Sequence, residues 1–125
     1  MPYQQNLVAA AQNYINYLNK IGTEEAKDTI KIPHPFNDDC QKIMNGELVA
    51  KSAAELVKQL SDARKSCESW EIDVLEIIPS TETKSATLYY NIKAQPVGAF
   101  AVIKVARFGD LDKVREVIEV FTPLK

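Results

Sequence analysis

Residues 40–60, CQKIMNGELVAKSAAELVKQL, change hydrophobic period halfway: a two-residue alternation surrounds Asn45-Gly46, and a helical spacing starts after Ser52. Asn-Gly is a favoured type I′ pair because both central residues need positive φ. Flanked by Lys42-Ile43-Met44 and Leu48-Val49, it predicts a short hairpin. Ser52-Ala53-Ala54-Glu55 is a capping box, in which the Ser52 hydroxyl takes the amide of Glu55 and the Glu55 carboxylate the amide of Ser52. The helix it opens places Ala53, Leu56, Val57, Leu60, Ala63 and Cys67 on one face, with Lys58, Asp62 and Lys65 off it.

Upstream, from about Pro2 to Lys20, the residues Leu7, Val8, Ala11, Tyr14, Ile15, Leu18 and Ile21 recur at three-to-four spacing, an amphipathic helix that Gly22 should end. Thr23 reads as the cap of a second, short helix reaching about Ile30, with Glu24 and Glu25 favoured by the dipole of its first turn. The two prolines and two carboxylates of PHPFNDD, 33–39, read as a loop. Downstream, Trp70, Ile72 and Val74 alternate with Glu71 and Asp73 as far as Pro79. Residues 86–94, 100–108 and 114–121 give three more strands, the last two joined by a turn at Gly109-Asp112 and therefore antiparallel. Helices first and a meander afterwards segregate into two layers, an α+β fold.

The chain has 125 residues, enough for one domain with its own core. Fifteen Lys and Arg against 17 Asp and Glu leave no basic excess, so neither nucleic acid nor an anionic membrane is an expected partner. The two cysteines, Cys40 and Cys67, have no second Cys or His at ligand spacing, so no metal site is expected, and both read as reduced core residues. The stretch MPYQQNLVAAAQNYINYLNK has no basic start and no long apolar run, from which a cytoplasmic protein is expected.

The segments QNYINYLNKIGTEEA, FNDDCQKIMNGELVAKSAAELVKQL and VARFGDLDKVREVIEVFTP, taken in order, resemble the nuclear transport factor two-like, or SnoaL-like, cone fold over nearly the whole chain. The resemblance implies a cystatin-like cone: N-terminal helices on a strongly curved, mainly antiparallel sheet, a pocket in the open end, and a homodimer through the outer sheet face. No cofactor is expected. The family includes ketosteroid isomerase, scytalone dehydratase, polyketide cyclases and limonene epoxide hydrolase. Tyr14 sits where the ketosteroid isomerases carry their oxyanion-donating tyrosine. Their base aspartate falls near Met44 and their protonated aspartate near Ala101, so neither half of that mechanism is present. The acid of the polyketide cyclases is not visible either.

Tyr14, Met44, Trp70, Tyr90 and Glu119 are the candidate ligand-pocket residues, Tyr14 and Glu119 as polar contacts and the other three as walls. Glu119 matches a cone-facing polar position of the family's last strand and should be buried with a raised pKa. Arg107, on the adjoining strand, is its expected ion-pair partner. His34, the one histidine, and Asp39, beside Asp38, are second-rank acid-base candidates, although a loop histidine between prolines and an acidic turn are the simpler descriptions. Tyr14, Trp70 and Tyr90 are equally explained as core. Three readings stay open: a binder of a small apolar molecule, a lyase, isomerase or hydrolase of polyketide cyclase type, and a non-catalytic homodimeric module. The last would bury Tyr89, Phe100 and Val102 against a second copy.

Overall fold

The structure, a computed structural model, describes the backbone of residues 2–124 and the side chains of residues 6–124. Helix α1 (Pro2–Thr23) is followed by a 3-10 turn (Ala26–Lys31), strands β1 (Phe36–Met44) and β2 (Glu47–Ala50), and helix α2 (Ala53–Lys65). The chain closes with β3 (Ser69–Ser80), β4 (Ser85–Gln95), β5 (Gly98–Phe108) and β6 (Val114–Pro123).

All six strands form one open sheet in the order β2-β1-β6-β5-β4-β3. The meander from β3 to β6 is antiparallel throughout, and β1 joins β6 in parallel. Asn45 (φ 49°) and Gly46 (φ 85°) make the predicted hairpin turn. The same asparagine fastens β1 to β6, its amide donating to the Glu119 carbonyl (2.9 Å) and its Oδ1 accepting from the Phe121 amide (3.1 Å). Strand β1 begins at Phe36, inside the stretch read as a loop. The prolines stop at Pro35, Val114 N donates to the Pro35 carbonyl (2.7 Å), and Phe36 is the first residue paired with β6. Strand β3 runs through Pro79 because it is an edge strand, with one side free of ladder bonds.

Helix α2 starts as its sequence dictates: Glu55 N donates to Ser52 Oγ (3.2 Å), while the Glu55 carboxylate takes the amide of Lys51 rather than that of Ser52 (2.9 Å). Thr23 does not cap a new helix. It ends α1, its hydroxyl donating to the Lys20 carbonyl, and the following turn is 3-10, entered from Glu25. Of the predicted α1 stripe only Val8 is exposed, and Tyr17 joins the buried set. Helix α1 lies on β3 and β4, and α2 on β1 and β2, so both helices cover the concave face.

Arg64 joins the two helix ends. Buried to 6% exposure, it donates from Nε to the Ile21 carbonyl (3.0 Å) and from its two terminal nitrogens to the carbonyls of Glu24 (2.8 Å) and Cys67 (3.0 Å). The cation thus sits on the unsatisfied acceptors at the C-terminal ends of α1 and α2, where the helix dipoles favour it.

Gly22 does not end α1 but permits a contact. The Trp70 indole lies against it and donates Nε1–H to the Leu18 carbonyl (2.7 Å), and a methyl group at position 22 would overlap both the indole and the Trp70 carbonyl. Gly22→Ala is therefore expected to lower stability by about 1–2 kcal/mol, despite the ~1 kcal/mol that alanine contributes as a helix former. Chemical denaturation reads this, and an unchanged or raised midpoint would contradict the contact.

Candidate functional site

Strand alternation decides which side chains the cone encloses. On the concave face the register aligns Ile72 with Ile92, Val74 with Tyr90, Tyr90 with Val102, Val102 with Phe121, Lys104 with Glu119 and Glu119 with Met44. Between this face and α2 lies a cavity of about 320 Å³, at the small end of ligand-binding pockets. Its wall is mainly apolar, including Leu60, Trp70, Ile72, Ile92, Phe100 and Phe121. Exposed Ser66 and Val97 mark its mouth.

The polar lining lies deep. Lys42 from β1, Lys104 from β5 and Glu119 from β6 are 3%, 2% and 8% exposed. Glu119 Oε1 is 2.9 Å from Lys104 Nζ and 4.0 Å from Lys42 Nζ. Lys104 also donates to the Tyr14 hydroxyl (3.0 Å) and stands over the rings of Tyr14 (4.8 Å) and Tyr90 (5.4 Å), where the π faces attract its charge. Lys42 donates to Gln59 Oε1 of α2 (2.9 Å).

The three charges respond differently to one environment. Burial pushes the Lys104 pKa down, but Glu119 and the two tyrosines outweigh it and hold the ammonium well above its ordinary value. Burial also acts to raise Glu119, yet Lys104 and then Lys42 hold it below the usual carboxylate range. The expected raised acid is thus an ionised partner, because the resemblance supplied its burial but not its two lysines. Lys42 loses most: burial, with Lys104 beside it, brings it down to about 8, against the opposing pull of Glu119. It can therefore hold or release a proton close to neutrality.

Met44, Trp70, Tyr90 and Glu119 all line the cavity. Tyr14 is buried behind Lys104 and does not line it, and burial drives its hydroxyl pKa up. Arg107 does not pair with Glu119. It lies on the other face of β5 and pairs with Glu116, since residues 104 and 107 differ by an odd number of positions. His34 is exposed outside the cone, stacked on Phe36 with its Nδ1 accepting the Phe36 amide (3.2 Å). Asp39 is exposed on β1 and, like Asp38, does not line the cavity. Among the described residues no group of three His, Cys, Asp or Glu could hold a metal ion. Phe100 and Val102, expected on the outer face, line the cavity, and Ala101 faces outward between them. Of that set Tyr89 alone points out, in a row with Ile103 and Val120.

Lys104, and Lys42 beyond its place beside the hairpin turn, are not among the site residues expected from sequence. Alternation could have found them: Val102, Lys104, Ala106 and Phe108 share one parity in β5, and Cys40, Lys42 and Met44 share one in β1, so each lysine interrupts an inward apolar series.

No family model and no curated protein matches the sequence. Solved structures do match. An NTF2-like protein of unknown function from Exiguobacterium sp. 255-15 superposes with a TM-score of 0.70 at 14% identity, over 90% of this chain and 98% of that one. A SnoaL-like protein of unknown function from Burkholderia thailandensis E264 gives 0.68 at 11% identity, over 91% and 95%. SalBIII, an epoxide hydrolase/cyclase-like enzyme of pyran ring formation in the polyether salinomycin, gives 0.76 at 12% identity, over 98% and 95%. The fold is accordingly that of the NTF2-like, SnoaL-like and cystatin-like proteins, helices packed on a mixed, open six-stranded sheet.

Proposed function

We propose that the protein binds a small, largely apolar molecule in the open end of the cone. The observation that carries this is the cavity itself: apolar walls from five strands and both helices converge on a deep cluster of polar groups, the arrangement by which ligand sites combine affinity with orientation. Catalysis of polyketide cyclase type is the alternative that SalBIII, an enzyme of this fold, keeps in view. Lys42 is then the group suited to proton transfer, and Glu119, held ionised, is not the acid. A cytoplasmic location belongs to the same proposal, and among the described residues no helix is long and apolar enough to cross a membrane.

The second reading, a homodimer through the outer sheet face, is supported by the exposed row Tyr89, Ile103 and Val120 across β4, β5 and β6. A second copy laid on this row would remove it from water. The two readings are compatible, because the row and the cavity lie on opposite faces of the sheet.

Native mass spectrometry of the purified protein, followed by spectra under denaturing conditions, tests both. The expected result is a dimer that releases an apolar small molecule on unfolding. A protein that also takes up no added apolar compound would overturn the binding reading, and a monomer at micromolar concentration would overturn the outer-face dimer.

A further inference from the structure

The cavity holds two cations and one anion. Lys104 and Glu119 satisfy each other at 2.9 Å, and Lys104 has the Tyr14 hydroxyl besides. Lys42 reaches the same carboxylate oxygen only at 4.0 Å, and its one hydrogen-bond acceptor among the described residues is the neutral Gln59 side chain. An ammonium has three hydrogens to donate. One is used, and the group is 3% exposed, so water replaces the other partners poorly. The site thus has a surplus of one positive charge and of donors, both at Lys42, beneath walls built from Trp70, Ile72, Ile92, Phe100 and Phe121.

Resting on the reading of the cavity as a ligand site, we propose that its ligand is a monoanionic amphiphile, an apolar body ending in one carboxylate or an equivalent enolate or phenolate oxygen, with the anion seated on Lys42 Nζ. A neutral ligand would leave the Lys42 donors unused. A dianion would exceed the surplus and meet Glu119, and a cation would add to an existing excess. The anion completes an alternation of charge, anion–Lys42–Glu119–Lys104, and in a low-dielectric site a charge-assisted hydrogen bond is stronger than a neutral one.

Proton linkage gives this proposal its signature. The titratable groups facing Lys42 are Glu119 from β6, Lys104 from β5 and Cys40 on its own strand, with Gln59 of α2 neutral and Tyr14 of α1 and Tyr90 of β4 against Lys104. Burial raises the Cys40 thiol to about 12 and raises the two tyrosines, and Lys104 is held above its usual value, so Lys42 is the member that changes charge as the pH passes about 8. Anion affinity should fall above that value, while the affinity of a neutral analogue should not.

The test displaces the neutral dye N-phenyl-1-naphthylamine with octanoate, 1-octanol or octylamine, from wild type and Lys42→Met, at about pH 6.5 and about pH 9.5, on either side of the Lys42 value of about 8. Octanoate is expected to bind wild type about tenfold or more tightly than 1-octanol at the lower pH, the equivalent of one charge-assisted hydrogen bond. Most of that preference should disappear at the higher pH and in Lys42→Met, with 1-octanol unaffected by either change and octylamine weakest in wild type at the lower pH, where the surplus charge is present. If the dye and 1-octanol bind but octanoate has no advantage, or keeps it in Lys42→Met, the monoanionic ligand is overturned and the apolar pocket stands. Should neither dye nor any octyl compound bind, the pocket reading falls, and this proposal with it.

Discussion

Lys104→Met lowers the free energy of unfolding by about 4 kcal/mol at neutral pH, the expected cost of leaving one member of a buried ion pair without its partner. Glu119, at 8% exposure, would keep only Lys42, whose ammonium is 4.0 Å away and already committed to Gln59. The Tyr14 hydroxyl would lose its donor, and the attraction of the Tyr14 and Tyr90 rings for the cation would vanish. Because Glu119 is held below the usual carboxylate range, the pair's contribution is present at neutral pH and is lost as acid protonates the carboxylate. The deficit of the variant should therefore narrow on acidification. Urea titration with an unchanged slope measures it. Replacing Lys42, Lys104 and Glu119 together by methionine should return most of the loss, since apolar residues of similar volume substitute for buried ion clusters at little cost. A single variant within about 1 kcal/mol of wild type would refute an ionised cluster.

The architecture was legible because it rests on local, steeply preferred choices. Asn45-Gly46 can hardly be anything but a tight turn, Ser52 with Glu55 marks a helix start, and the Trp70-Ile72-Val74 alternation describes a strand with one wet face. The loop reading of residues 36–39 failed for the complementary reason. Asn37-Asp38-Asp39 has no strand preference of its own, and it lies in β1 as the irregular stretch between Phe36 and Gln41, which pair with Val114 and Glu116 of β6 from the far end of the chain. Thr23 likewise has a capping side chain but finds itself still inside α1.

The site was half legible. Met44 and Glu119 come from the resemblance and Trp70 and Tyr90 from being aromatic residues suited to an apolar wall, and all four line the cavity. Phe100 and Val102 were assigned to the wrong face, because a run apolar on both faces has no phase of its own and takes it from the β4 register, Val102 opposite Tyr90. Arg107 was matched with Glu119 by the same slip. Lys42 and Lys104 were passed over because a lysine in a strand is ordinarily solvated. What buries these two is the docking of β1 from the first half of the chain against the β5–β6 pair, so that both lysines meet Glu119 and Lys104 also meets the Tyr14 and Tyr90 rings, partners that no local window contains.

Lys42→Met should act oppositely to Lys104→Met and raise stability at neutral pH, by roughly 2–3 kcal/mol. Burial brings the folded-state value of Lys42 to about 8 from an ordinary 10.5, so the folded protein holds this proton less firmly than the unfolded chain does. Below pH 8 the charged side chain destabilises wild type in full, and methionine relieves that, less the cost of leaving Gln59 Oε1 without its donor. Between pH 8 and 10.5 the unfolded chain keeps a proton that the folded protein has released, so wild-type stability climbs and the advantage of the variant shrinks across that window. Denaturation midpoints of the two proteins at several pH values from neutral to alkaline measure the convergence. A variant less stable than wild type at pH 7 would mean that Lys42 is held by its neighbours as firmly as Lys104, leaving no surplus for a ligand. A gain that vanishes with rising pH identifies a residue whose position costs the fold stability, as expected of a group retained for what it binds rather than for what it holds together.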